Sequence, residues 1–65
     1  MMTVKFGYSN GGEKIHEAKH VNSSTDGTIY IEDGSGYTYG AQLSRGDVLY
    51  VMNEKGGTIA TYHGL

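Results

Sequence analysis

The chain has no cysteine among its 65 residues, so it lacks the disulfide bonds that commonly support a very small domain. Without cysteine there is also no thiolate zinc site and no cysteine nucleophile. A chain without cysteine is typical of a reducing compartment. We therefore expect a cytoplasmic protein that must find its stability elsewhere.

Long apolar segments are also missing. The longest apolar run, Val48 to Met52, is far shorter than the ~20 residues that a membrane span requires. The N-terminal segment MMTVKFGYSN has no apolar core of the kind that a secretory signal carries. These two absences predict no membrane partner and support the cytoplasmic expectation.

Basic residues are few and scattered. Lysine and arginine number five against seven aspartates and glutamates, so the net charge is −2 with histidine neutral. From Asn22 onward, only Arg45 and Lys55 oppose five acidic side chains. Modules that bind nucleic acid usually carry a clustered basic patch, so nucleic acid is not an expected partner.

Large apolar side chains are scarce as well. Hydrophobic residues make up 37% of the chain, with one phenylalanine and no tryptophan. A chain of this length forms one domain, residues 1–65, and buries only about 60% of the surface that its unfolded form exposes. Homo-oligomerisation, or docking onto a partner, would supply the burial that this thin core lacks.

The chain does contain a series of short alternating segments separated by glycine-bearing turns. Apolar and polar residues alternate with a period of two, which is typical of half-buried β-strands. Asn-Gly and Gly-Gly pairs tolerate the positive φ of tight hairpin turns, and Arg45-Gly46-Asp47 predicts a turn that enters a strand. The predicted strands are Met2 to Tyr8, Thr28 to Asp33, Tyr37 to Leu43, Asp47 to Asn53 and Thr58 to His63.

The segment from Glu13 to Val21 is ambiguous. Its apolar residues form only a narrow stripe when placed on a helix. The preceding turn would deliver the segment antiparallel to the first strand, which favours a strand. A short helix over residues 13–20 is the alternative.

These elements predict an all-β fold. We expect a five- or six-stranded antiparallel meander, curled into a small SH3-like or OB-like barrel that hides its edges. The strand from Val48 to Met52 is apolar on both faces, so it should lie at the centre of the barrel or between a sheet and a partner subunit. A flatter sheet that pairs with a second copy is the alternative.

The segment His16-Glu17-Ala18-Lys19-His20 matches the H-E-x-x-H pattern of zinc metalloproteases. On a helix, this spacing places both histidines on one face, and the glutamate activates the metal-bound water. Here the segment favours a strand, and a third ligand would have to come from His63 or Glu13. We therefore predict no catalytic residue, no metal ligand and no cofactor, and keep zinc binding by His16 and His20 as an alternative.

The six tyrosines are a more informative feature. Tyrosine is favoured at interfaces because it joins a large rigid apolar ring to a polar tip. Tyr30 lies between two isoleucines, so alternation predicts that it is exposed. Tyr37, Tyr39 and Tyr50 either reach the surface or fill a core that is short of larger aromatic residues. The predicted partner-binding residues are Tyr30, Glu32, Asp33, Tyr37 and Tyr39, with the two acids at the rim.

The passage TIYIEDGSGYTYGAQLSRGDVLYVMNEKGGTIATYHG shows a strand, a DG turn, a tyrosine-rich strand, a GD corner, a strand and a GG turn. This order resembles the small all-β proteins that are common in bacteriophage and mobile-element genomes. The resemblance implies a binding protein, since many such proteins occupy a host protein or a small nucleotide. It transfers no catalytic residue to this chain.

These features predict a small non-enzymatic protein that binds a protein partner through a tyrosine-bearing β surface and also self-associates. From the resemblance, we expect an inhibitor or modulator of a host protein. The first alternative is a homo-oligomer that sequesters a small nucleotide-like ligand. The second alternative is a zinc protein that uses the HEAKH segment.

Overall fold

The strands of the protein follow the period-two alternation of its sequence. A computed structural model describes residues 1–64. The seven strands are β1 (Met2–Gly7), β2 (Glu13–Ala18), β3 (His20–Ser23), β4 (Ile29–Glu32), β5 (Thr38–Ala41), β6 (Val48–Met52) and β7 (Thr58–His63). The order β2-β1-β6-β7 forms a four-stranded sheet and β3-β4-β5 a three-stranded sheet, with all neighbours antiparallel. The expected all-β antiparallel class is confirmed.

The two sheets share one small core. Alternation places Ile29 and Ile31 of β4 on the inner face, where they are buried, while Tyr30 between them is 43% exposed. The exposure that the sequence predicts for Tyr30 is therefore confirmed. Seven apolar side chains from both sheets are buried together: Val4, Phe6, Ala18, Ile29, Ile31, Leu49 and Val51.

Four hairpin turns share one geometry. In each, the N–H of the first residue donates to the carbonyl four residues later, and its carbonyl accepts the N–H of a glycine three residues later. This glycine has a positive φ, which favours glycine because it has no Cβ. The first residue and the glycine of the four turns are Tyr8 and Gly11, Ser24 and Gly27, Asp33 and Gly36, and Asn53 and Gly56.

Two of these hairpins also correspond residue by residue. Glu32 pairs with Thr38 across the β4–β5 turn, and Met52 pairs with Thr58 across the β6–β7 turn in the same register. The correspondence ends at a bulge in β7, which leaves Ile59 without a partner in the ladder. Strand alternation alone does not reveal this repeat, in which Tyr30, Gly36 and Thr38 match Tyr50, Gly56 and Thr58.

The segment from Glu13 to Val21 is not one strand, and this corrects the expected strand count. The chain bends at Lys19, where β2 ends and β3 begins, and the Lys19 N–H donates to the Glu32 carbonyl at 2.7 Å. The bend carries the chain from the edge of one sheet to the edge of the other. Residues 1–64 thus form seven strands instead of five or six.

The alternative of a helix over residues 13–20 is wrong, because these residues form strands on either side of the bend. Among residues 1–64, the structure has no helix long and apolar enough to cross a membrane.

The expected barrel and meander are also corrected. The strands of residues 1–64 lie in two separate sheets without closing into a barrel, and β1 pairs with both β2 and the distant β6. β6 is not at the centre of a barrel: Leu49 and Val51 are buried, but Tyr50 on its other face is 37% exposed. The outer face of β6 is only partly covered by residues 1–64, since Val48 and Met52 are half-buried beside the exposed Tyr50.

The corner before β6 is the turn that Arg45-Gly46-Asp47 predicts. The Asp47 N–H donates to the Ser44 carbonyl at 2.9 Å, and Gly46 has a φ of 92°. A Cβ on Gly46 would also lie 2.9 Å from the Cβ of Ser9. Conformation and close packing therefore both require glycine at this position.

Asp47 itself joins three distant parts of the chain. Its carboxylate accepts the Ser9 N–H on Oδ1 and the Ser44 N–H on Oδ2, each at 2.9 Å. Its backbone carbonyl accepts the Gly64 N–H, also at 2.9 Å. The side chain is buried by these contacts, at 8% exposed. A buried carboxylate satisfied by backbone donors is a structural clasp.

Replacing Asp47 by alanine should lower the free energy of unfolding by about 2–4 kcal/mol, since two part-buried N–H groups lose a charged acceptor. Urea denaturation followed by circular dichroism measures this change. Glu17→Ala is the control, because Glu17 is exposed and forms no ion pair within residues 1–64; its effect should stay within about 0.5 kcal/mol. Equal effects of the two substitutions would contradict the assignment of Asp47 as a clasp.

Candidate partner-binding surface

The three tyrosines that the sequence selects lie on two faces of the three-stranded sheet. Tyr39 pairs with the buried Ile31, so its side chain is on the core-side face. Tyr37 is two residues away on the same side and is 64% exposed. Tyr30 pairs with Gly40 on the outer face. The structure thus brings Tyr37 and Tyr39 together and separates Tyr30 from them.

Tyr30 lies across a glycine of the neighbouring strand. A Cβ built on Gly40 would be 3.5 Å from Cε1 of the Tyr30 ring and 3.1 Å from Cγ2 of Thr28. The glycine therefore leaves room for the ring to lie flat on β5, a pairing that stabilises glycine in an edge strand. The other side of the ring faces solvent.

Tyr37 and Tyr39 begin a row of ring side chains that crosses from one sheet to the other. The ring centroids of Tyr37 and Tyr39 are 6.1 Å apart, with planes inclined by 25°. His16 follows at 6.1 Å from Tyr39, Phe6 at 6.0 Å from His16, and Tyr8 at 6.0 Å from Phe6. We call Tyr37, Tyr39, His16, Phe6 and Tyr8 the aromatic row. Pairs of Phe and Tyr rings, such as Tyr37–Tyr39 and Phe6–Tyr8, contribute about 0.5–1.5 kcal/mol each beyond burial.

The aromatic row contains three residues that the sequence analysis did not select. The period-two pattern of β1 places Phe6 and Tyr8 on one face, which signals that they are neighbours. The contact of His16 with Tyr39 joins strands of different sheets. No local signal in the sequence marks that contact.

Tyr39 has a buried hydroxyl that is not hydrogen-bonded. Its oxygen is inaccessible to solvent and has no hydrogen-bond partner within residues 1–64. Burial raises the pKa of the Tyr39 hydroxyl, and the nearby Asp33 charge adds to the effect. A buried hydroxyl without a partner costs free energy, so the ring is held by its packing.

Asp33 holds the turn from which Tyr37 projects. Its Oδ1 accepts the Ser35 N–H at 2.8 Å, the Ser35 hydroxyl at 2.6 Å and the Tyr37 N–H at 3.2 Å. The bond from the Ser35 hydroxyl is the main cause that keeps the pKa of the Asp33 carboxyl below its usual value. Asp33 therefore positions Tyr37, while Glu32 lies on the outer face with Tyr30, opposite His20 and Thr38.

The two histidines of the HEAKH segment do not converge. His16 is on the core-side face, paired with Val4, and His20 is on the outer face of the other sheet, paired with Glu32. The bend at Lys19 changes the alternation between them, so their spacing no longer places them on one face. Within residues 1–64 no group of three His, Asp or Glu side chains is arranged to hold a metal ion.

A cleft lies at the end of the three-stranded sheet, between the β3–β4 turn, the segment after β5 and the end of β7. Its volume is about 490 Å³, and its polar lining includes Ser24, Asp26, Gln42, Tyr62 and His63. Asp26 accepts the Thr28 N–H at 2.9 Å and contacts the Ser24 hydroxyl, whose bond lowers the pKa of the carboxyl. The cleft is large enough to hold a small polar molecule.

Comparison with models of protein families, with curated proteins and with solved structures finds no match to this chain.

Replacing Tyr39 by phenylalanine should raise the free energy of unfolding by about 1 kcal/mol, because the ring stays and the unpartnered hydroxyl is removed. Urea denaturation of both proteins measures the difference. Tyr30→Phe is the matched control, since Tyr30 is exposed and should change stability by less than about 0.5 kcal/mol. A clear loss of stability in Tyr39→Phe would show that the hydroxyl does have a partner.

Replacing Asp33 by asparagine should preserve the turn and remove part of the acid sensitivity of the fold. Asn53 performs this role in the equivalent turn, where its Oδ1 accepts the N–H groups of Lys55 and Gly57 at 3.0 and 2.9 Å. Because the pKa of Asp33 is lowered in the folded state, its ionised form stabilises the fold above the unfolded pKa. This contribution disappears as the pH falls through the folded pKa.

Denaturation curves recorded from neutral pH down to about pH 2 test this expectation. The stability difference between wild type and Asp33→Asn should change with falling pH, in the direction that makes the wild type relatively weaker. Asn53→Asp is the reciprocal variant, and it should gain acid sensitivity. Parallel stability curves for all three proteins would contradict the linkage.

Proposed function

We propose that this protein is a small non-enzymatic binding protein that contacts a protein partner through the tyrosines of its three-stranded sheet. The observation that supports this proposal most directly is the state of Tyr37. Its ring is 64% exposed, yet it stacks on Tyr39, and its backbone is held by Asp33. An exposed aromatic side chain that is already ordered loses little entropy on binding, which favours affinity.

The positions of the five selected residues define how a partner would engage. Tyr37 and Tyr39 line one side of β5, and Tyr30 lies on its other side, next to Glu32. A partner seated at β5 would meet ring surface on both faces of the strand. Asp33 acts from within the turn, where its carboxylate is hydrogen-bonded, and so contributes by positioning Tyr37.

The partner we propose is a host protein, and the role an inhibitor or modulator from a phage or mobile element. The resemblance of Thr28 to Gly64 to small all-β proteins of such genomes supports this choice. A cytoplasmic location fits a chain without cysteine. Self-association remains part of the proposal, because only seven apolar side chains of residues 1–64 are buried in the core.

The cleft near His63 supports one second candidate, the sequestration of a small nucleotide-like ligand. Its volume of about 490 Å³ and its mixture of hydroxyl, amide, carboxylate and imidazole groups suit a polar molecule with a ring. Native mass spectrometry of protein purified from its source cells distinguishes the two candidates. Added mass of a small metabolite, lost in Gln42→Ala, would favour sequestration.

Replacing Tyr37 by alanine should weaken partner binding by about 2 kcal/mol, or about thirtyfold, if Tyr37 is a central contact. The measurement uses a photoreactive phenylalanine analogue at position 37, with crosslinking in the source cells followed by mass spectrometry. The identified protein is then titrated against the wild type and Tyr37→Ala.

Tyr50→Ala is the control for this titration, because Tyr50 occupies the corresponding position of Tyr30 on the other sheet and is also exposed. It should leave affinity unchanged, while Tyr30→Ala should weaken binding less than Tyr37→Ala. Crosslinks that form from position 50 and not from position 37 would overturn the proposed surface.

A further inference from the structure

We infer that β5 binds an extended segment of the partner protein as an added antiparallel strand. This inference rests on the proposed function for the nature of the partner, and it adds the mode of binding and the chemistry of the bound segment. It follows from three features of the molecule: the composition of its sheet edges, the backbone groups of β5 and the incomplete cover of the β1–β2 hairpin.

The four edge strands differ in how they resist pairing with another chain. β2 carries the charged residues Glu13, Lys14 and Glu17, β7 contains the bulge at Ile59, and β3 starts at the bend of the chain. Charges and bulges are usual protections of a sheet edge, and short length is another, which β3 and β5 share with four residues each. β3 carries no Lys, Arg, Asp or Glu, and its ladder with β4 is regular. β5 likewise has neither charge nor bulge, since residues 34–44 carry no charge and the β4–β5 ladder is regular. What distinguishes β5 from β3 is the row of rings on its core-side face.

The free edge of β5 presents unpaired backbone groups. In an antiparallel ladder, successive residues turn their N–H and carbonyl groups to opposite sides. The Tyr37 carbonyl accepts the Asp33 N–H, so the backbone N–H and carbonyl groups of Tyr37 and Tyr39 point to β4. The backbone groups of Thr38, between them, point to the free edge. The backbone N–H and carbonyl groups of Gly40 point to the free edge, as those of Thr38 do. No strand of residues 1–64 pairs with this side of β5.

Beside this free edge lies the core-side face of the β1–β2 hairpin, which the three-stranded sheet covers only in part. On the core-side face of the β1–β2 hairpin, Ala18 is fully buried, whereas His16 and Lys14 nearer the turn are exposed. The Tyr39 ring lies 6.1 Å from the His16 ring, so β5 is above this part of the hairpin. One more strand, about 4.8 Å from β5, would cover the exposed end.

The residues around this space define the chemistry of the added strand. Side chains of the added strand that point to the β1–β2 hairpin would contact Tyr37, His16 and Tyr8. These contacts favour apolar or aromatic residues at alternate positions of the added strand. Lys14 is the one charged residue on the core-side face of residues 2–18, and no carboxylate of residues 1–64 pairs with it. The bound segment is therefore extended and free of proline, with alternating apolar residues and an acidic residue near Lys14.

Selection from a displayed library of random short peptides tests this inference without the natural partner. The selected peptides should share an alternating apolar pattern with an acidic residue. Their affinity should fall at least about tenfold for Thr38→Pro, which removes an outward N–H and blocks the edge. Thr58→Pro is the matched control, because Thr58 follows the equivalent turn on the edge of the other sheet, and it should bind the peptides like the wild type.

Single N-methylation along a selected peptide adds a readout that folding of the protein does not affect. Alternate positions should lose binding, because only every second N–H of an added strand faces β5. Uniform tolerance of N-methylation, equal binding by Thr38→Pro, or a pool without peptides that bind would overturn the inference. A selected peptide that copies residues 37–43 would instead identify a second copy of this chain as the occupant.

The failure of this inference can be separated from failure of the proposed function. Loss of the natural partner with Tyr37→Ala, but not with Thr38→Pro, would keep the tyrosine surface and reject strand addition. Retention of the partner by both variants would reject both proposals. Circular dichroism of each variant confirms that it is folded before binding is compared.

Discussion

The carboxylate of Asp47 is the contact that joins the start of β6 to the β1–β2 turn and to the corner through which the chain leaves the three-stranded sheet. It accepts N–H groups from the β1–β2 turn at Ser9 and from the corner at Ser44, and the Asp47 carbonyl holds Gly64. Only seven apolar side chains of residues 1–64 are buried, so one charge-assisted clasp is a large fraction of the stability of so small a domain. Ser9 directly follows Tyr8, so its hydrogen bond to Asp47 fixes the backbone next to the last residue of the aromatic row.

Repetition of one hairpin turn explains how a thin core supports an ordered surface. Each turn closes with two backbone hydrogen bonds, and at Asp33 and Asn53 a side-chain oxygen satisfies further N–H groups of the loop. Local bonds of this kind fix the strands without much buried area. Tyr37 is the last residue of the Asp33 turn, so the hydrogen bonds of the turn determine the orientation of its exposed ring.

Alternation and turn chemistry are local signals, and they identify the β class, the turns and the outward position of Tyr30. The break at Lys19 has no local signal: residues 13–21 contain no glycine or proline, and their apolar residues Ile15, Ala18 and Val21 are spaced by three instead of two. The bend carries the chain from the edge of one sheet to the edge of the other. The pairing of β1 with β6 depends on which apolar faces meet across the core. The contact of His16 with Tyr39 depends on the bend at Lys19 and on the pairing of β1 with β6. The sequence therefore indicates Tyr37 and Tyr39 but not the aromatic row to which they belong.

An uncharged, regular edge is a liability for a protein with little stability to spare, because it invites uncontrolled pairing. Both edges of the four-stranded sheet are protected, β2 by charge and β7 by a bulge, whereas β3 and β5 of the three-stranded sheet have neither. Of these two strands, β5 is the one that carries Tyr39 and lies between the exposed rings of Tyr30 and Tyr37. Departures from the local rules of a stable fold are expected where function requires them. Free backbone groups and ordered rings coincide on β5, and this coincidence supports the proposal that the edge is kept open for a partner.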